Sequence, residues 1–206
     1  SLENAMVLDM AMGGSSNTVL HTLAIAREAG IEFTMKDMHE ISLRTPTLCK
    51  LSPASEQHIE ELNAVGGIMA IMKESAKKPG ALHLDALTVS GKTLGEQIAA
   101  AGDPDGRVVH PLSDPYSEQG SLAVLYGNLA PDVAIVKRSA VAPAMKKFRG
   151  RARIFESEVE ASAGVLKKDN IKPGDFVIIR YEGPKGGPGM QEMLSPTANV
   201  MGMGLG

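Results

Sequence analysis

The chain has 206 residues, 43% of them apolar and 22% charged, with a formal net charge of −3. That apolar content excludes an intrinsically disordered chain, and 22 Gly and 12 Pro scattered without a period exclude collagen-like and low-complexity classes. A pI near 6.0, the absence of Trp and the lack of an apolar run of membrane-spanning length leave neither nucleic acid nor a membrane as an expected partner.

The length suits one large domain or two small ones. The single cysteine, Cys49, has no partner for an internal disulfide and fits a reducing compartment, so a cytoplasmic location is expected. Ser1 opens the sequence in place of an initiator Met and glycine-rich residues 202–206 close it, so a piece of a longer protein is expected.

Apolar spacing predicts a helix over residues 2–12, interrupted by Gly13-Gly14. Ser15, Ser16 and Asn17 are helix-starting residues for an apolar helix through Val19, Leu20, Leu23, Ile25 and Ala26, with Ala29-Gly30 as its end. Thr34 and Asp37 resemble a capping box for a helix that stops before Pro46. A short strand is predicted over 47–51, a helix capped by Ser55 over 57–64, and another over 68–76. Helical periodicity ends at Lys77-Lys78-Pro79-Gly80, the best boundary in the chain. Beyond it, strands are predicted over 85–89, 121–126, 133–137, 148–155 and 176–180, the last buried on both faces or nearly so. Short helices are predicted from Thr93 and, through a Ser157/Glu160 capping box, toward Lys168.

Several residues invite a chemical reading. Ser90-Gly91-Lys92-Thr93 lacks the preceding glycine of a phosphate loop, since Ala86 stands there, and reads as a helix start capped by Thr93. The glycines and hydroxyls of 13–17 could hold an anion, although the same residues serve simply to begin a helix. His21, His39, His58, His83 and His110 show no ligand spacing; His21 reads as a core residue and Cys49 as buried and inert. Glu182 differs, standing at the carboxyl end of an apolar strand before a loop of four glycines and two prolines. A carboxylate there suits a hard divalent cation, and an exposed surface Glu is an equally good reading of the residues alone.

The stretch from Arg180-Tyr181-Glu182-Gly183-Pro184-Lys185-Gly186-Gly187 to Ser195-Pro196-Thr197 closely resembles the dihydroxy-acid dehydratase family. Met12-Gly13-Gly14-Ser15-Ser16-Asn17-Thr18-Val19-Leu20-His21, Leu87-Thr88-Val89-Ser90-Gly91-Lys92-Thr93, Leu125-Tyr126-Gly127-Asn128-Leu129-Ala130-Pro131 and Ala152-Arg153-Ile154-Phe155-Glu156-Ser157-Glu158 resemble it in the same order. The resemblance implies a hydro-lyase that dehydrates 2,3-dihydroxy-3-methyl acids to 2-keto acids for branched-chain amino-acid synthesis. It implies an iron–sulfur cluster, either 2Fe-2S or 4Fe-4S, acting as Lewis acid on the departing hydroxyl. A serine base and a Mg2+ ion gripping the substrate carboxylate complete the implied site.

By the same resemblance Glu182 is a Mg2+ ligand, while Gly186, Gly187, Pro188, Gly189 and Met190 wall the substrate entrance. The cluster cysteines and remaining Mg2+ ligands are expected before Ser1 and the serine base after Gly206, so no catalytic residue is expected within the chain and the chain alone is expected to be inactive. The implied fold is α/β: residues 1–78 a helical remnant of an N-terminal α/β domain, and 79–206 a swivelling β/β/α barrel-like domain. The implied assembly is a homodimer. Sugar-acid and phosphogluconate dehydratases, or a scaffold module without chemistry, are the alternatives.

Overall fold

The computed structural model describes residues 1–52, 54–167, 170–183 and 193–205, as a mixed α/β chain of helices and two small sheets. It divides into two compact units, Ser1–Val141 and Ala142–Gly206.

The first unit is built on helices α1 (Leu2–Met12), α2 (Ser16–Glu28), α3 (Met35–Arg44), α4 (Ile59–Ala64), α5 (Gly67–Ala76) and α6 (Leu94–Ala99). Helix α1 packs against α2, α3 and α5, and buries Met6, Val7, Met10 and Ala11. Its apolar residues therefore point in several directions rather than along one stripe. Met6, Val7 and Met10 join Val19, Met38, Ile41 and Leu122 in one core. Ala11 joins Leu48, Cys49, Leu62, Ile71, Val108 and Val109 in another. Unbranched methionines fill the irregular gaps between these crossing helices. The Thr34/Asp37 and Thr93/Glu96 capping boxes form, with Asp37 accepting from the Thr34 amide at 2.7 Å and Glu96 from the Thr93 amide at 2.8 Å. Strands β1 (Leu122–Leu125) and β2 (Ala134–Lys137) pair antiparallel, with Leu122 opposite Lys137.

Three local expectations change. Residues 85–89 form no strand: a tight turn closes with the Thr88 amide on the Lys92 carbonyl at 2.9 Å, and leaves Leu87 and Val89 in solvent. Gly91 permits that turn with φ 76°. Residues 47–51 make only single bridges, Thr47 with Ser117 and Cys49 with Val109. His58 is the N-cap of α4, and Glu61 reaches back to its amide at 2.7 Å, whereas the Ser55 hydroxyl donates to the Lys50 carbonyl.

The second unit is a strand–helix–strand motif followed by a further helix. Strand β3 (Arg151–Phe155) leads through α7 (Glu158–Val165) to β4 (Asp175–Ile179), and α8 (Leu194–Gly202) follows. The strands are parallel, with Arg151 opposite Asp175 and Phe155 opposite Ile179. Parallel neighbours need a crossover connection, and α7 lies in it. Phe155, Ala161, Val165 and Ile171 form the core, flanked by Val177, Ile179, Val200 and Leu205. The Arg153 guanidinium meets the Asp175 carboxylate at 3.0 Å across the strands. Strand β4 is not buried on both faces, because a two-stranded sheet packs only one, and Phe176 is 49% exposed.

Candidate functional site

Glu182 lies just beyond β4, and its position follows from the way the two strands end. The ladder runs one rung past the sheet, with the Arg180 amide donating to the Phe155 carbonyl at 2.9 Å. Glu156 and Arg180 thereby leave the strands side by side. The guanidinium grips the carboxylate with two prongs, Nε to Oε2 at 3.1 Å and Nη2 to Oε1 at 2.6 Å. Tyr181 then takes a left-handed backbone, φ 62°. For a bulky side chain that conformation costs about 1 kcal/mol or more. The bend delivers the half-buried Glu182 to the start of α7, where its Oε1 accepts the Glu158 amide at 2.6 Å.

Glu158 is the first residue of α7. Amides of a first helical turn lack partners within the helix and mark its positive end, so a carboxylate is stabilised there. The neighbouring donors are satisfied locally: the Ser157 hydroxyl accepts from the Glu160 amide at 3.1 Å, and the Glu160 carboxylate from the Glu156 amide at 2.7 Å. Glu182 thus serves α7 from outside the helix sequence.

Magnesium takes oxygen ligands in near-octahedral geometry and commonly uses only one or two carboxylates, the rest coming from water and substrate. Glu182 fits as one such donor, since its Oε2 has no partner among the described residues. No group of three or more potential ligands comes together among the described residues, so these residues alone do not make a metal centre. An iron–sulfur cluster does not fit them. Cluster iron is held chiefly by cysteine thiolates, and Cys49 is fully buried, its thiol pushed up to about 11 by burial and by the charge of Asp105. Gly186, Gly187, Pro188, Gly189 and Met190 lie outside the described residues.

The other singled-out segments serve the fold. At residues 13–17 the Ser15 hydroxyl accepts from the Asn17 amide at 3.2 Å and begins α2. The anionic group near that helix start is internal: Asp9 Oδ1 accepts from the Thr18 hydroxyl at 2.9 Å. Burial pushes the Asp9 carboxyl up to about 6 against the pull of Thr18, Ser15 and Lys137, and its Oδ2 is buried without a hydrogen-bond partner among the described residues. The signal for Asp9 in the sequence is a lone acid within the run Met6-Val7-Leu8-Asp9-Met10. Thr93 caps α6, as expected for a helix start. His21 is exposed on α2 and not in the core, because Val19, Thr22 and Ala26 occupy the buried face. Also unread was a stack in which the His110 and Tyr116 rings lie 3.9 Å apart, with the Lys50 ammonium 5.0 Å from the Tyr116 ring centre.

A further feature of the second unit is an open apolar cavity of about 450 Å³ lined by Val177 and Ile179 of β4 and by Met193, Pro196, Val200 and Met201. No helix among the described residues is long and apolar enough to cross a membrane.

Comparison with known proteins assigns both parts of the chain to one family. Residues 1–97 match the profile described as dihydroxy-acid/6-phosphogluconate dehydratase N-terminal, and residues 107–206 match its C-terminal counterpart. A dihydroxy-acid dehydratase of Akkermansia muciniphila is 57% identical over the whole chain, one of Aquifex aeolicus 59%, and one of Anaeromyxobacter sp. 54%. The chain spans 37% of the length of each of these relatives. With both family profiles matched in order and together taking in nearly every residue, the chain belongs to the dihydroxy-acid/6-phosphogluconate dehydratase family.

Proposed function

We propose that this chain works as part of a longer hydro-lyase that converts 2,3-dihydroxy carboxylates to 2-keto acids in branched-chain amino-acid synthesis. The observation that carries this reading is the end-to-end likeness, at 54–59% identity, to relatives named dihydroxy-acid dehydratase. The reaction removes a proton from C2 and the hydroxyl from C3, giving an enol that becomes the ketone.

Within that reaction the chain's own part is to hold Glu182 at a strand end, with one oxygen fixed by the Glu158 amide and the other available to a cation. Bound Mg2+ would supply positive charge to anchor the substrate carboxylate. In this reading the iron–sulfur cluster and the serine base belong to the rest of the protein. Residues 79–206 form part of a swivelling barrel-like β/β/α domain, and residues 1–78 belong to the preceding cluster-binding domain. The intact protein is a cytoplasmic homodimer in this reading.

The test is an anaerobic assay of the full-length protein against dihydroxyisovalerate, 6-phosphogluconate and a panel of sugar acids. Keto-acid formation mainly from dihydroxyisovalerate is expected, and turnover confined to a sugar acid or to 6-phosphogluconate would replace the substrate assignment. Glu182→Gln should lower that activity by about two orders of magnitude or more while the fold is kept. The chain of 206 residues alone should be colourless and inactive, and a cluster absorbance band from it would overturn the division of labour.

A further inference from the structure

We infer that Arg180, through its two-pronged grip on Glu156, is a positioning residue that holds the Glu182 carboxylate on the first amide of α7 and its second oxygen ready for a cation. The inference rests on the proposed role of Glu182 as a Mg2+ ligand.

The bend at Tyr181 is the weak point of the arrangement. Left to itself, a tyrosine at φ 62° would relax toward extended backbone, and Glu182, the next residue, would swing off the helix start. Residues on both sides of the bend oppose that relaxation. Before it, the Arg180 amide is tied to Phe155 and the guanidinium to both oxygens of Glu156. The same guanidinium lies 5.0 Å from the Tyr181 ring centre, so the side chain of the strained residue is stacked against the group that anchors its neighbour. After it, Glu182 is fastened to Glu158.

The Arg180–Glu156 pair is about half exposed, with side-chain exposures of 48% and 52%. Such a pair adds little to global stability, and its forked geometry supplies direction instead. The same fork neutralises one of four carboxylates, Glu156, Glu158, Glu160 and Glu182, that stand on or beside the first turn of α7. Losing the guanidinium would therefore both free the bend and raise repulsion on Glu182. Outer groups that orient a metal ligand typically govern affinity by about 10–100-fold.

The experiment uses the full-length protein with Arg180→Met, Arg180→Lys, Glu156→Gln and the double exchange Glu156→Arg/Arg180→Glu, beside Glu182→Gln as reference. Mg2+ affinity is measured by calorimetry, and the exchange rate of the Glu158 amide by hydrogen–deuterium exchange with fragment resolution. Arg180→Met should weaken Mg2+ binding about tenfold or more and speed Glu158 exchange, with the unfolding midpoint nearly unchanged. Arg180→Lys should fall between, because one ammonium cannot fork. The double exchange should recover part of both readouts. Affinity and exchange within about twofold of the parent in Arg180→Met would overturn the inference. Should Glu182→Gln leave Mg2+ affinity unchanged, the metal reading of Glu182 fails, and Glu158 exchange in Arg180→Met still decides whether Arg180 positions the carboxylate.

Discussion

A methyl group on Gly14 would lie 1.8 Å from the Oδ1 of Asp9, so the glycine is the space in which that carboxylate sits. Gly14→Ala must push Asp9 off the Thr18 hydroxyl that donates to it. Overpacking of this kind costs about 1–3 kcal/mol. The urea midpoint of the chain, followed by circular dichroism, should fall accordingly. A midpoint equal to the parent's would mean that Asp9 moves aside freely.

Asp9 also sets a pH dependence. Its carboxyl ordinarily titrates near 3.8 and is pushed up to about 6 by burial, so the folded state favours the protonated form. The stabilisation is complete below about pH 4 and is lost as pH rises through 6, an effect of about 3 kcal/mol at most. Asp9→Asn cannot titrate there. The stability of the parent minus that of Asp9→Asn, measured from pH 4 to 8, should decline across this window and flatten above pH 7. A flat difference throughout would show that Asp9 is not shielded from water as described.

Cys49 should be chemically silent in the folded chain. With its thiol pushed up to about 11, only about a thousandth is thiolate at pH 8, and the side chain is fully buried. Labelling by a chromogenic disulfide reagent should be slower than in 8 M urea by about two orders of magnitude or more. Rapid labelling of native protein would place the sulfur near the surface.

In α7, Gly164 stands against the Phe155 ring, where a Cβ would come within 2.4 Å of Cε1. Alanine is favoured over glycine inside a helix by about 1 kcal/mol, and displacing a packed ring costs about 1–3 kcal/mol. The clash should win. Gly164→Ala is expected to destabilise the second unit and to leave the first unchanged, read from amide exchange in each unit separately. Stabilisation of α7 without loss around Phe155 would reverse that ranking.

Features set by neighbours in sequence were legible. The Thr34/Asp37 capping box, the Thr93 cap on α6 and the Ser157 cap on the Glu160 amide form because both partners lie within one turn. Features set by tertiary neighbours were not. The alternation at 85–89 resembles a strand, but Leu87 makes only a single bridge, with Thr93, and the turn at Gly91 prevails. Helix α8 carries Pro196 in its first turn, where a proline loses no needed amide bond but blurs the helical pattern. At the candidate site, the exit of Glu182 from an apolar strand could be read directly. Its hydrogen bond to Glu158 depends on residues 24 positions apart and on the bend at Tyr181, which no local pattern announces.

The crossover from β3 through α7 to β4 occupies fewer than thirty consecutive residues, Arg151 to Ile179. Contacts that close over so short a loop form early, since little chain entropy is lost in making them. The acidic group at its tip is consequently in register as soon as this small motif condenses, whether or not distant parts of a longer polypeptide have arrived. On the role proposed for Glu182, a cation shared with those parts would then meet one ligand already aimed, and assembly would need to orient only the others.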